Sequence, residues 1–144
     1  MAKQVTHVGR LGNGHALKLA VNALIFALSN GVSEALVLAE RAGIDRAVAY
    51  DVFTTSAAGA PFIGYKRDAF VEPDGAAVAF SLDLAAKDLR LITELADRLG
   101  VPMEQARVNQ RLIAEASHHL GVDRDASAVA SHLREQTKEG ALNR

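Results

Sequence analysis

The chain has 144 residues, of which 49% are apolar and 23% are charged, a composition typical of one compact globular domain. Its 16 lysines and arginines nearly balance 17 acidic residues, giving a formal net charge of −1, which argues against nucleic acid or an anionic membrane as partner. The absence of cysteine excludes disulfides, thiol nucleophiles and thiolate metal sites. This composition suits a reducing compartment, and we expect a cytoplasmic protein.

Only 5% of the residues are aromatic and none is tryptophan, which favours helices over strands. The most apolar run, residues 19–28, is interrupted by Asn22 and is shorter than the ~20 residues that a membrane span needs. Residues 1–4 do not resemble the basic start of a signal peptide. We therefore predict no membrane span and no signal peptide.

Apolar periodicity and turn residues predict six helices, at about residues 14–41, 45–54, 58–69, 82–99, 102–120 and 126–138. Three of these helices are followed by a glycine that can adopt positive φ: Gly43, Gly100 and Gly121. Asp45 and Asp125 are expected as N-caps, and Pro102 suits the first turn of a helix. Together these features predict an all-α fold.

The two ends of the chain are predicted to lie outside the helices. Residues 4–8 read as a short extended segment before the first helix. After Lys138 no apolar periodicity continues, and Gly140 is expected to end the last helix.

The first predicted helix is long, about 42 Å at 1.5 Å per residue, and its first half is apolar on nearly every side. Such a helix is expected at the centre of a bundle, covered by the others. Its polar exceptions, Lys18 and Asn22, share one face, which Ser29 and Ser33 continue. Either this stripe lines a cleft, or Lys18 extends from the helix end into solvent and Asn22 bonds to backbone.

A glycine-rich segment, residues 9–15 (GRLGNGH), precedes this helix. It has neither the spacing of a dinucleotide fingerprint nor the lysine of a phosphate-binding loop. It is either a flexible leading turn or a place where a ligand approaches the helix N-terminus, whose free N–H groups favour an anion.

Two blocks of sequence resemble a known family. Residues 12–22 (GNGHALKLAVN) are similar to the signature that opens the C-terminal domain of the β-hydroxyacid dehydrogenases, a family that includes 3-hydroxyisobutyrate dehydrogenase and tartronate semialdehyde reductase. Residues 80–89 (FSLDLAAKDL) are similar to a second block of the same family. The resemblance covers about residues 3–133, and it implies a helical bundle around one long central helix, like the C-terminal domain of 6-phosphogluconate dehydrogenase.

The resemblance also implies roles for individual residues. Lys18 would be the catalytic acid or base at the substrate oxygen, and Asn22 and Gly14 would bind substrate. Lys87 would reach the cofactor, NAD or NADP, and Phe80 would line its nicotinamide side. We expect Lys18, Asn22 and Lys87 to face one common cleft.

The spacing of the residues around Lys87 also allows a purely structural interpretation. Several charged residues form one polar helix face: Asp83, Lys87, Arg90, Glu94 and Asp97. On this interpretation Lys87 pairs with Asp83 at the surface, and Asp88 caps or braces the helix without a catalytic role. The five histidines show no spacing shared with acidic residues, so no metal site is expected.

The family's nucleotide-binding Rossmann domain is absent from this sequence, so residues 1–144 are expected to be the helical substrate-binding and dimerisation domain. The implied substrate is a small β-hydroxyacid. The leucine and alanine positions around residues 24–38 exceed what one small bundle can cover, so we expect a homodimer or homotetramer. Two alternatives remain. One is an imine reductase-like enzyme, against which Lys18 counts, and the other is a non-catalytic helical oligomerisation module.

Overall fold

A computed structural model of the chain describes residues 5–142 and the side chains of residues 5–138. The described part folds into helices: α1 (Asn13–Arg41), α2 (Arg46–Thr55), α3 (Pro61–Tyr65), α4 (Arg67–Val71), α5 (Leu82–Leu99), α6 (Glu104–Leu120), a 3₁₀ turn (Ala126–Ala128) and α7 (Val129–Leu142). Within residues 5–142 the β-structure is limited to one isolated bridge between Ser81 and Asp125. The predicted all-α class is confirmed.

Most helix ends follow the predicted local chemistry. The Asp45 carboxylate accepts a 3.0 Å hydrogen bond from the backbone N–H of Val48, as expected of an N-cap. Asp125 accepts a 3.0 Å bond from the N–H of Ser127 at the start of the 3₁₀ turn. The three predicted glycines have left-handed backbone φ angles: Gly43 at +88°, Gly100 at +68° and Gly121 at +90°.

The prediction of a single helix over residues 58–69 was wrong. The structure has two short helices there, α3 and α4, with Lys66 between them at φ −89° and ψ 0°. The first begins at Pro61, because proline suits a first helical position, and the preceding Gly59 packs against Thr54 too tightly for any side chain. The break turns Lys66 inward to a buried partner, Asp125.

Two helix ends differ from their approximate predicted positions by a few residues. Helix α6 begins at Glu104 rather than at Pro102, because Met103 before it still has a non-helical ψ of 65°. Helix α7 continues through Gly140 to Leu142, since one glycine costs a helix only about 1 kcal/mol. Residues 5–8 have no regular secondary structure, and residue 4 of the predicted extended segment lies outside the described residues.

Helix α1 packs against α5, α6 and α7 and joins two apolar clusters. Leu19 and Phe26 belong to the cluster with α5 and α6, and Leu36 belongs to the cluster with α2, α3 and α4. The expectation that the other helices cover α1 on nearly every side was wrong. Its partners lie on one side, and an exposed apolar face remains: Leu17, Val21 and Leu24.

By length and composition, α1 is the one helix of the described chain that could cross a membrane. Residues 19–28 alone are too short for a span, but α1 as a whole is long enough and apolar enough. The core helix of a soluble bundle can have the same length and composition. Here α1 buries Ser29, Asn30 and Ser33 against the other helices.

Candidate active site

Lys18 and Asn22 lie on successive turns of α1, and α5 places Asp88 opposite them. The amide Nδ2 of Asn22 donates a 2.7 Å hydrogen bond to Oδ2 of Asp88. The Nζ of Lys18 lies 3.9 Å from the same oxygen. The side chain of Lys18 is 61% exposed, whereas that of Asp88 is 11% exposed. The carboxylate therefore lies against the bundle, while the ammonium group stays accessible to a ligand.

A cavity of about 230 Å³ lies beside Asn22. Its walls are formed by α1, the α3–α4 region, the segment before α5 and the 3₁₀ turn: Asn22, Ile25, Phe26, Ser29, Phe62, Tyr65, Lys66, Ala79, Phe80 and Ala126. Phe80 packs its ring against Phe26 with 5.9 Å between centroids. The cavity thus brings together Asn22 and Phe80, which are 58 positions apart in the sequence, and it includes Ser29 of the predicted polar stripe.

The remaining predicted site residues lie outside this cavity wall. Lys18 stands one turn before Asn22, and exposed Gly14 stands one turn before Lys18. Lys87 is exposed and directly precedes Asp88, so its side chain projects about 100° around α5 from the carboxylate. The structure therefore groups Lys18, Asn22 and Asp88 by contact, and it places Lys87 next to this group along the chain.

An ion pair that the sequence did not predict links the α3–α4 region to the start of the 3₁₀ turn at the cavity wall. The Nζ of Lys66 lies 2.8 Å from both carboxylate oxygens of Asp125, and both residues are buried. Asp125 also accepts hydrogen bonds from the backbone N–H groups of Ala79, Phe80 and Ser127. Burial acts to raise the pKa of Asp125, but the Lys66 ammonium and the Ser127 N–H outweigh it and hold the pKa below its usual range.

The sequence also did not predict that Asp88 belongs to the site, although it contains a signal for this. It belongs to the second family block, next to Lys87, but helical spacing alone could not show which helix its side chain would meet. Among the described residues, no group of three or more histidine or acidic side chains could hold a metal ion.

Residues 12–133 match the family described as "NAD-binding of NADP-dependent 3-hydroxyisobutyrate dehydrogenase". The chain belongs to this family. The match includes both sequence blocks, so the resemblance to the β-hydroxyacid dehydrogenases is confirmed.

The chain is also similar in sequence to curated relatives that are named as reductases. The chain is 29% identical to glyoxylate/succinic semialdehyde reductase 2, chloroplastic, of Arabidopsis thaliana, over 93% of this chain and 37% of the relative. It is 32% identical to glyoxylate/succinic semialdehyde reductase 1 of the same plant, over 90% of this chain and 44% of the relative. The chain thus spans about two fifths of the length of these relatives.

The fold is also similar to that of Mycobacterium tuberculosis 3-hydroxyisobutyrate dehydrogenase, solved with L-serine. The TM-score is 0.79 at 26% identity, over 93% of this chain and 48% of that structure. This similarity confirms the predicted helical bundle of the 3-hydroxyisobutyrate dehydrogenase family.

Two exposed lysines, one on α1 and one on α5, could contact an anionic cofactor such as NAD or NADP. Lys18 and Lys87 offer exposed ammonium groups on helices that pack together, which suits an anionic ligand. Within residues 5–142 there is no strand–helix–strand unit to hold a pyrophosphate.

Proposed function

We propose that this chain is the helical domain of an NAD- or NADP-dependent oxidoreductase that acts on small β-hydroxyacids or their semialdehydes. One observation carries the proposal. An exposed lysine, Lys18, stands beside an amide and a buried carboxylate at the edge of a cavity, in a chain of the 3-hydroxyisobutyrate dehydrogenase family. We further propose that a nucleotide-binding domain elsewhere in the full-length protein forms the other wall of the site.

Lys18 is suited to proton transfer at the reacting oxygen. During reduction its ammonium group donates a proton to the carbonyl oxygen of the substrate, and during oxidation its amine accepts the hydroxyl proton. The bound nicotinamide supplies or accepts the hydride. The nearby Asp88 carboxylate attracts the ammonium group and holds it close to Asn22 without burying it.

Asn22 is suited to bind and orient the substrate. An ionised carboxylate only accepts hydrogen bonds, so the contact with Asp88 requires the NH₂ group of Asn22 to face it. The second hydrogen of this NH₂ group is not used by Asp88, and it can form a hydrogen bond to the hydroxyl or carboxylate oxygen of a β-hydroxyacid. Asp88 is therefore a positioning residue that acts through Asn22 and Lys18.

Lys87 is proposed to contact the cofactor end of the site. It is exposed and follows the α5 turn that carries Asp83, but none of the ion pairs among the described side chains includes Lys87 or Asp83. This favours a ligand-facing role over the surface pairing that the sequence also allowed. Phe80 and Gly14 are proposed for the nicotinamide side and for the approach of substrate, as the resemblance implies.

The exposed apolar face of α1 supports a homodimer or homotetramer. Leu17, Val21 and Leu24 recur at helical spacing, and Leu24 is 72% exposed. Apolar side chains arranged in this way are typical of an interaction surface.

The function is tested on the full-length protein. Purified enzyme is given NAD⁺ or NADP⁺ with 3-hydroxyisobutyrate, and formation of the reduced nicotinamide is followed by its absorbance. Turnover with either cofactor supports the proposal. If neither cofactor is reduced with 3-hydroxyisobutyrate or with its unsubstituted and longer homologues, the oxidoreductase function is wrong and the oligomerisation module is favoured.

A further inference from the structure

The cavity beside Asn22 is mostly apolar, and its polar groups are few. Isoleucine, phenylalanine and alanine side chains form most of its wall, and Phe62 and Tyr65 pack edge to face there with 5.5 Å between ring centroids. Among the side chains that the structure describes, Lys66 is the one charged member of this wall. The chemistry of the cavity therefore depends on whether the charge of Lys66 is available to a ligand.

The charge of Lys66 is already balanced. Lys66 is 5% exposed, and its ammonium group contacts both oxygens of Asp125 at 2.8 Å. The same carboxylate accepts hydrogen bonds from the backbone N–H groups of Ala79 and Phe80, which fix its position. If Lys66 moved to an anionic ligand, this buried carboxylate would lose its counter-charge. Removing one partner of a buried ion pair is strongly unfavourable. An anion entering the cavity would find apolar walls and no uncompensated cation.

We propose that this cavity receives an uncharged, apolar substituent on the carbon between the carboxylate and the reacting carbinol of the β-hydroxyacid. The inference rests on the proposed function and specifies its substrate class. Asn22 connects the two regions, because it contacts Asp88 beside Lys18 and also lines the cavity. A substrate whose hydroxyl group lies at Lys18 and Asn22 can therefore direct a side chain past Asn22 into the cavity.

The available volume favours a substituent larger than a methyl group. About 230 Å³ is much more than one water molecule requires. Each methylene group that enters an apolar pocket improves discrimination by roughly 10-fold or more. Short alkyl substituents are therefore expected to raise kcat/KM above that of the unsubstituted acid.

A matched pair of substrates tests the proposal on the full-length enzyme. 2-(Hydroxymethyl)pentanoate and 2-(hydroxymethyl)glutarate differ only in a terminal methyl group against a terminal carboxylate, and 3-hydroxypropionate supplies the unsubstituted reference. The pentanoate is expected to have a kcat/KM about 100-fold or more above that of the glutarate, because the second carboxylate must lose its water without gaining a cation. Equal or better turnover of the glutarate overturns the proposal while the proposed function stands.

Two variants in the segment before α5 test the location. Ala79→Leu narrows the cavity, and it is expected to lower the ratio of kcat/KM for the pentanoate to that for 3-hydroxypropionate by about 10-fold. Ala77→Leu, an exposed position outside this cavity, is expected to leave that ratio unchanged. Thermal unfolding of both variants checks that the fold is retained. An unchanged ratio in folded Ala79→Leu means that the substituent binds elsewhere, whereas absence of turnover with all three acids contradicts the proposed function itself.

Discussion

Asn22 and Asp88 are joined by a 2.7 Å hydrogen bond across the contact between α1 and α5. The bond fixes the orientation of the Asn22 amide, and the same carboxylate oxygen lies 3.9 Å from Nζ of Lys18. The sequence suggested that Asp88 only caps or braces α5. In the structure it connects Lys18, which is proposed for proton transfer, with Asn22, which is proposed for substrate binding.

Replacing Asp88 by asparagine is expected to lower kcat/KM by about 5-fold, since a hydrogen bond to a charged group is worth roughly 1 kcal/mol more than a neutral one. The variant keeps an acceptor oxygen for Asn22 and removes the charge near Lys18. KM is expected to rise as well as kcat to fall, because the Asn22 amide loses its charged hydrogen-bond partner and orients the substrate less well. Asp83→Asn, on an exposed position of the same helix, is the control and should leave both constants unchanged. Equal kcat and KM for wild type and Asp88→Asn would rule out the positioning role.

Lys18→Ala is expected to lower kcat by ~10²–10⁴, the usual contribution of general acid–base catalysis. The fold should be retained because the side chain is 61% exposed and makes one loose ionic contact. Lys138→Ala, which removes another exposed lysine, serves as the control. Steady-state kinetics and circular dichroism check both expectations, and an unchanged kcat in Lys18→Ala would remove this residue from the reaction.

Lys66→Met is expected to destabilise the domain by ~3–5 kcal/mol, because it leaves Asp125 buried without a counter-charge. The neighbouring substitution Arg67→Met breaks an ion pair with Asp51 that lies at the surface, where solvent screens the interaction. It should therefore be nearly neutral. Chemical denaturation measures the free energy of unfolding of both variants. An equal decrease in the two would contradict the structural importance of the buried pair.

Acid is expected to weaken the domain through Asp125. Because its pKa is lowered in the folded state, the stabilisation is complete above the unfolded value of about 3.9 and is lost as the pH falls through the lower folded value. The free energy of unfolding of the wild type should therefore fall below about pH 4. Asp125→Asn should be less stable at neutral pH and should show a weaker dependence in the acid range. If the free energy of unfolding of Asp125→Asn falls in acid as steeply as that of the wild type, other carboxylates cause the effect.

Leu24→Lys is expected to convert an oligomer into monomers, because it places a charge in the exposed apolar face of α1. Val122→Lys, at an exposed apolar position beyond α6, should not change the assembly. Light scattering at tens of micromolar protein distinguishes these outcomes. A wild-type monomer at that concentration would contradict the proposed homodimer or homotetramer.

The sequence by itself determined the features that depend on neighbouring residues. Helix periodicity placed Lys18 and Asn22 on one face, and capping chemistry placed Asp45 and Asp125 at helix starts. These features could be predicted because they depend on backbone geometry over a few residues. The two family blocks added the bundle and the proposed roles, which spacing alone could not supply.

Only the tertiary structure decided which distant residues meet. Asp88 lies 66 positions from Asn22, and Asp125 lies 59 positions from Lys66, so neither contact follows from any local repeat. The same packing left Leu17, Val21 and Leu24 exposed on one face of α1, and the apolar sequence of this helix could not show which face that would be. Periodicity shows which residues share a helix face, whereas the direction from which other helices approach that face depends on how the whole chain fills its core.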